Sequence, residues 1–214
     1  MSRPSQPVHG ATPSANYPGY VGQGKFTQPG EDQGWPTGYS VDAVEGSEPM
    51  GNHCIGACLA LGTLVAVPGG IRPIESIKVG DQVLAAGTDL KWATYQVQFS
   101  AGTGPRTLNP LVVYLHCSGI QAIVTPDHLF LLSNKTLQRA DRLTSADKLM
   151  SPDGLSIPID SVVLGEFIGE IHAIATSVQK PEGNFDGHLI VTNGLVSGDY
   201  TAQLHAEEET VIRA

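Results

Sequence analysis

Cysteine, charge and long apolar runs are all scarce in this chain, and each scarcity removes a class of function. Its three cysteines, Cys54, Cys58 and Cys117, are too few and of the wrong parity for a disulfide framework, so at least one thiol is expected to stay reduced. Charged residues make up 15% of the chain, and the net charge is −9. That sign repels phosphate backbones and anionic lipid, and no block of Lys or Arg offsets it, so no nucleic-acid partner is expected. No apolar run reaches the roughly 18 residues of a membrane span. The first twenty residues carry one Arg but none of the apolar stretch that a secretory leader has behind its charge. These absences lead to the expectation of a soluble protein, cytoplasmic by default.

Glycine and proline, by contrast, are plentiful, with 25 and 15 in 214 residues. Residues 1–57 hold 10 of those Gly and 7 of those Pro, with Gln, Ser and Tyr between them and no helical or alternating period. Such a segment cannot bury enough apolar surface to offset its ordering entropy and is expected to be disordered. The aromatics within it, Tyr17, Tyr20, Trp35 and Tyr39, read as composition rather than as a binding patch.

From Leu59 onward short apolar runs recur between Gly, Pro, Asn and Asp clusters. Strands are expected over residues 64–67, 82–86, 94–99, 111–116, 121–124, 129–132, 161–164, 170–175 and 188–192, and a short helical turn over 137–143. Many short strands with frequent turns predict an all-β domain. The stretch from Ile74 to Leu84 is also echoed from Ala140 to Met150: Ile77, Asp81 and Val83 match Leu143, Asp147 and Leu149 at one constant offset. Two copies are too few for a solenoid and fit a duplicated β unit folded about a pseudo-two-fold axis.

The chemistry-bearing residues fall in three blocks. The first is Cys58-Leu59-Ala60-Leu61-Gly62-Thr63 with the Pro73-Ile74-Glu75 and Gly80-Asp81 segment that follows it. The second is Val124-Thr125-Pro126-Asp127-His128, and the third runs from His188 to Tyr200. In this order they resemble the Hint (hedgehog/intein) autoprocessing domain, closest to bacterial intein-like or hedgehog-like members. The resemblance covers residues 58–199. It implies a horseshoe-like, pseudo-two-fold β domain over about 58–205, followed by a tail of 206–214. It also implies that Cys58, Thr125, His128 and His188 are the site residues and that the Ala57–Cys58 bond is scissile.

A thiol with a reference pKa near 8.5 is close to forming a thiolate at neutral pH, and thiolate is the nucleophile. Attack by Cys58 on the carbonyl of Ala57 converts an amide into a thioester, an uphill step that needs a proton donor for the departing nitrogen. His128 titrates in the right range for that donor. Thr125, on the same turn, would orient the carbonyl or the imidazole through its hydroxyl. The reaction needs no cofactor and no metal. Its substrate is the chain's own N-terminal segment, with water or a small nucleophile as acyl acceptor, in a monomer that turns over once. The competing expectation is a degenerate Hint fold kept as an interaction or structural module.

The third block departs from the inteins. His188, Asn193 and Gly194 fit, but Gly198 stands where the penultimate His belongs, Asp199 replaces the terminal Asn and Tyr200 the downstream nucleophile. A carboxylate has no amide nitrogen to cyclise on its own carbonyl, so complete splicing is not expected. Asn193-Gly194 reads as a hairpin turn. A metal site built from His53, Cys54, His116 and Cys117 has no matching distal pair and is not expected. A Cys54–Cys58 disulfide that masks the nucleophile until reduction is a minor alternative.

Overall fold

The computed structural model describes residues 58–103 and 108–212, together with two short strands, β1 (Gln6–Pro7) and β2 (Lys25–Thr27). The reading of 1–57 as disordered falls, apart from those two strands, outside the described residues. So do His53, Cys54, Ala57 and the aromatics from Tyr17 to Tyr39.

The Leu59–Ala60 strand (β3) lies inside the first sheet. Around it run β8 (Phe99–Gly102), β9 (Leu108–Cys117), β10 (Ile120–Val124), β15 (Ser161–Ile168) and β16 (Ile171–Ala175), in the order β1-β2-β15-β9-β10-β3-β16-β8. The second sheet takes β4 (Leu64–Val67), β5 (Gly70–Pro73), β11 (Leu129–Leu131), β12 (Leu137–Arg139), β17 (Leu189–Thr192) and β18 (Leu195–Gly198) in the order β12-β11-β18-β17-β4-β5. Also in it, β6 (Gln82–Ala86) pairs with both β17 and β7 (Ala93–Gln96). A third, small sheet pairs β13 (Lys148–Met150) with β14 (Ser156–Pro158). One core joins the two large sheets, with Val65, Ile74, Leu115, Phe130, Leu149 and Ile190 all buried in it. The all-β expectation therefore holds. No helix among the described residues is long and apolar enough to cross a membrane.

The sequence echo is a structural one. Ile74–Ser76 and Ala140–Arg142 are both single 3-10 turns between strands. In each copy an Asp closes the following turn: Asp81 Oδ2 accepts the Lys78 N–H at 3.1 Å, and Asp147 Oδ2 accepts the Thr144 N–H at 2.8 Å. The equivalence extends upstream of what the sequence displays. Ile74 N–H bonds to the Thr63 carbonyl as Ala140 N–H does to that of His128, both at 2.8 Å. Thr63 N–H in turn bonds to Ala60 O as His128 N–H does to Thr125 O. The turn from Thr125 to His128 is thus the second copy of the turn from Ala60 to Thr63, with different side chains.

Strands β5, β12, β13 and β14 lie outside the expected set, and two further elements differ more. The alternating run 94–99 is not one strand. Val97 is buried, its N–H bonds to Asp81 O and its carbonyl accepts from Gly80, so the ladder stops there and the chain crosses from the second sheet to the first. The larger difference is a helix, α1 (Tyr200–Ile212), which runs straight through the boundary expected at 205/206. Its start is capped by Asp199, whose Oδ1 accepts the Ala202 N–H at 2.8 Å, the geometry of an N-cap side chain serving the third helical residue. Of the helical turn expected over 137–143, only Ala140–Arg142 is helical, as a 3-10 turn; Leu137–Arg139 is instead the strand β12, paired with β11.

Candidate active site

Strand β3 is held on both sides, Leu59 opposite Val124 of β10 and opposite His172 of β16. Cys58 immediately precedes it and is fully buried as a thiol. Ala60, Ile123, Phe167, Ile171, Ala173 and Tyr200 form the apolar cluster it belongs to. Central strands leave little freedom, so the cysteine backbone is fixed by the pairing of β3 on both sides.

Thr125, just past the end of β10, fastens Cys58 from both directions. The Cys58 N–H donates to Thr125 Oγ1 at 3.0 Å, and the Thr125 N–H donates to the Cys58 carbonyl at 3.0 Å. The hydroxyl is expected from the sequence to orient the carbonyl or the imidazole; the contact seen here is with the amide nitrogen of Cys58 itself. The turn then carries His128 inward, its N–H bonded to Thr125 O at 3.1 Å. The imidazole is fully buried and stands edge-on to Phe130, with ring centroids 5.1 Å apart.

The other described cysteine is a poor nucleophile. Burial, aided by the Asp160 charge, pushes the Cys117 thiol up to about 12, so it stays protonated at neutral pH. Among the described residues no three His, Cys, Asp or Glu side chains are grouped as metal ligands would be.

The third block forms a second buried cluster. His188 Nδ1 lies 3.2 Å from each oxygen of Asp199. Asp199 Oδ2 also accepts the Thr176 N–H at 3.0 Å, and the Asp199 N–H donates to the His188 carbonyl at 2.8 Å. With Oδ1 capping α1, this carboxylate is engaged from every side, and His188 contacts Asp199 rather than the Cys58–Thr125 pair. Asn193 and Gly194, at φ +50° and +84°, make the expected two-residue hairpin between β17 and β18. The Asn193 amide does more: Oδ1 accepts the Leu64 N–H at 2.8 Å and Nδ2 donates to Gln121 O at 3.0 Å, tying the hairpin to both sheets. Tyr200 is also structural, its ring stacked on Phe99 at 4.6 Å.

Gly198 has a steric reason. A Cβ built there would stand 3.2 Å from Leu129 Cβ and 3.3 Å from Ala202 Cβ, with Gln203 Cγ at 3.6 Å. Helix α1 has taken the room a side chain at this position would use. Gln203, which sequence reasoning missed, links the two clusters: its Nε2 donates to Gly198 O at 2.9 Å and to Asp199 O at 3.2 Å, and lies 3.2 Å from His128 Nδ1. The signal for it was Asp199 followed by Ala202, Gln203, Leu204 and Ala206, an N-cap ahead of strong helix formers.

No protein-family model and no curated protein matches this sequence. Solved structures do. A bacterial intein-like domain from Clostridium thermocellum superposes with a TM-score of 0.57 at 20% identity, covering 67% of this chain and 99% of the other. A DnaB intein from Synechocystis sp. PCC 6803 gives 0.53 at 17% identity over 66% and 97% of the two chains. The gp41-1 intein gives 0.52 at 22% identity over 67% and 99%. Across its β domain this chain has the Hint fold shared by inteins and the bacterial intein-like domain.

Proposed function

We propose that the domain cleaves its own chain between Ala57 and Cys58. The Cys58 sulfur bonds to the Ala57 carbonyl carbon, the carbon–nitrogen bond breaks, and the thiol proton ends on the Cys58 nitrogen, leaving a thioester beside a free amine. Water or a small nucleophile then takes the acyl group, the carbon–sulfur bond breaks and the sulfur regains a proton. The products are 1–57, ending in a carboxylate when water is the acceptor, and 58–214 with Cys58 at its N-terminus.

The observation that carries this reading is the Thr125 hydroxyl at 3.0 Å from the Cys58 nitrogen, the atom that must leave and be protonated. His128, one turn away and shielded from water, is the proton donor. His188 acts at one remove, by holding Asp199. The C-terminal block supports cleavage without splicing. Asp199 offers no amide nitrogen for cyclisation and is occupied as a helix cap, while Tyr200 is stacked in the core.

The test is a time course of the purified full chain by mass spectrometry, with and without dithiothreitol. Thiol-accelerated appearance of 1–57 and 58–214, lost in Cys58→Ala, supports the reaction. A chain that stays whole under all conditions refutes it and leaves a non-catalytic interaction module.

A further inference from the structure

Beyond its first residue, Tyr200, helix α1 lies outside the three sequence blocks, yet it supplies a polar side chain to the buried imidazole. Gln203 is 3% exposed, and the orientation of its amide is fixed by its surroundings. Two backbone carbonyls, of Gly198 and Asp199, lie within hydrogen-bonding distance of one terminal atom, and only the NH2 group can face two acceptors. That same nitrogen lies 3.2 Å from His128 Nδ1. Of the amide's two hydrogens, one serves Gly198 O and the other is shared between Asp199 O and His128 Nδ1, both at 3.2 Å; a donor there is matched by an unprotonated Nδ1, and a neutral imidazole with a bare Nδ1 carries its proton at Nε2.

We propose that Gln203 is a positioning residue for His128, its amide holding Nδ1 as an acceptor and so presenting the ring proton at Nε2. The C-terminal helix would then be part of the N-terminal reaction centre. The Gly198 position shows how this came to fit: the space that a side chain would fill at 198 is filled by Gln203 Cγ, Ala202 and Leu129. A second contact ties α1 to the same centre, since Tyr200 is buried in the cluster that contains Cys58. As a claim about catalysis this rests on the cleavage reaction proposed above; as a claim about the tautomer it does not.

The experiment separates the two. In the full chain carrying Cys58→Ala, with 15N-labelled histidine, long-range proton–nitrogen spectra report the His128 tautomer. The Nε2-protonated form is expected with Gln203 present, and a gain of the Nδ1-protonated form in Gln203→Met, a near-isostere without the donor. In the Cys58 chain, Gln203→Met is expected to slow cleavage about tenfold or more, within the range of a proton-transfer contribution. An Nδ1-protonated ring in the chain that keeps Gln203 overturns the proposal whether or not the Met variant folds. So does a folded Met variant with an unchanged tautomer. A tautomer that moves in a protein that never cleaves sustains the Gln203–His128 contact and refutes only the reaction.

Discussion

Replacing Asp199 by Asn would restore the residue with which inteins end, and on chemistry alone it should promote C-terminal release. The structure predicts damage instead. Asn is as good a helix cap as Asp in general, so loss of capping alone would cost little. Here both carboxylate oxygens accept from backbone N–H groups, Oδ1 from Ala202 and Oδ2 from Thr176. Whichever way an Asn amide is turned, its NH2 must face one of those donors. One charge-assisted hydrogen bond is lost and one buried N–H is stranded, together about 2–4 kcal/mol. For a domain of this size that lowers the melting temperature by roughly 5–15 °C. The assay is thermal unfolding by circular dichroism of Asp199→Asn in a Cys58→Ala background, with mass spectrometry on the same samples. An unchanged melting temperature, or release of residues 200–214, would refute the reasoning.

Other expectations follow from the same geometry. Thr125→Val keeps the shape but strands the Cys58 N–H, costing about 1–3 kcal/mol. It should abolish cleavage while Thr125→Ser retains it, and equal cleavage time courses for Val and Ser would count against the hydroxyl's role. Gly198→His should destabilise by about 1–3 kcal/mol through overpacking against Leu129 and Ala202, without C-terminal release; a normal melt would contradict the steric argument. Burial holds the His172 imidazole below its ordinary value, partly opposed by Glu75. The unfolded chain therefore binds this proton first as pH falls, and stability is lost downward through the ordinary His range near 6.5. His172→Gln should melt with a shallower dependence between about pH 7.5 and 5.5, and an equally steep one would assign the slope elsewhere.

The sequence was most informative where local pattern and tertiary demand coincide. Residues 64–67 and 82–86 are apolar runs closed by glycine turns, and both are strands with those bounds. The Asn193-Gly194 turn needed only its left-handed preference to be read. The break at Val97 was hidden because the alternation is real; what ends the strand is the Gly80–Asp81 turn capturing Val97's backbone, a contact between distant segments. Helix α1 is obscured for a different reason: in the sequence Asp199 reads as a lost reacting group, and the same residue is also a cap. Within the site, the order and spacing of Cys58, Thr125 and His128 could be read from the chain. That Thr125 reaches the Cys58 nitrogen, and Gln203 the His128 ring, depends on strand pairing and helix packing that no local pattern displays.

The most direct measurement of the central claim is chemical trapping of the acyl group. Freshly purified full chain is treated with hydroxylamine at neutral pH, and the released N-terminal fragment is weighed and sequenced. The account predicts a fragment ending at Ala57 as its hydroxamate, with a matching fragment that begins at Cys58. Cleavage at another bond, or a fragment carrying only a carboxylate however much hydroxylamine is present, would contradict an acyl group held on the Cys58 sulfur.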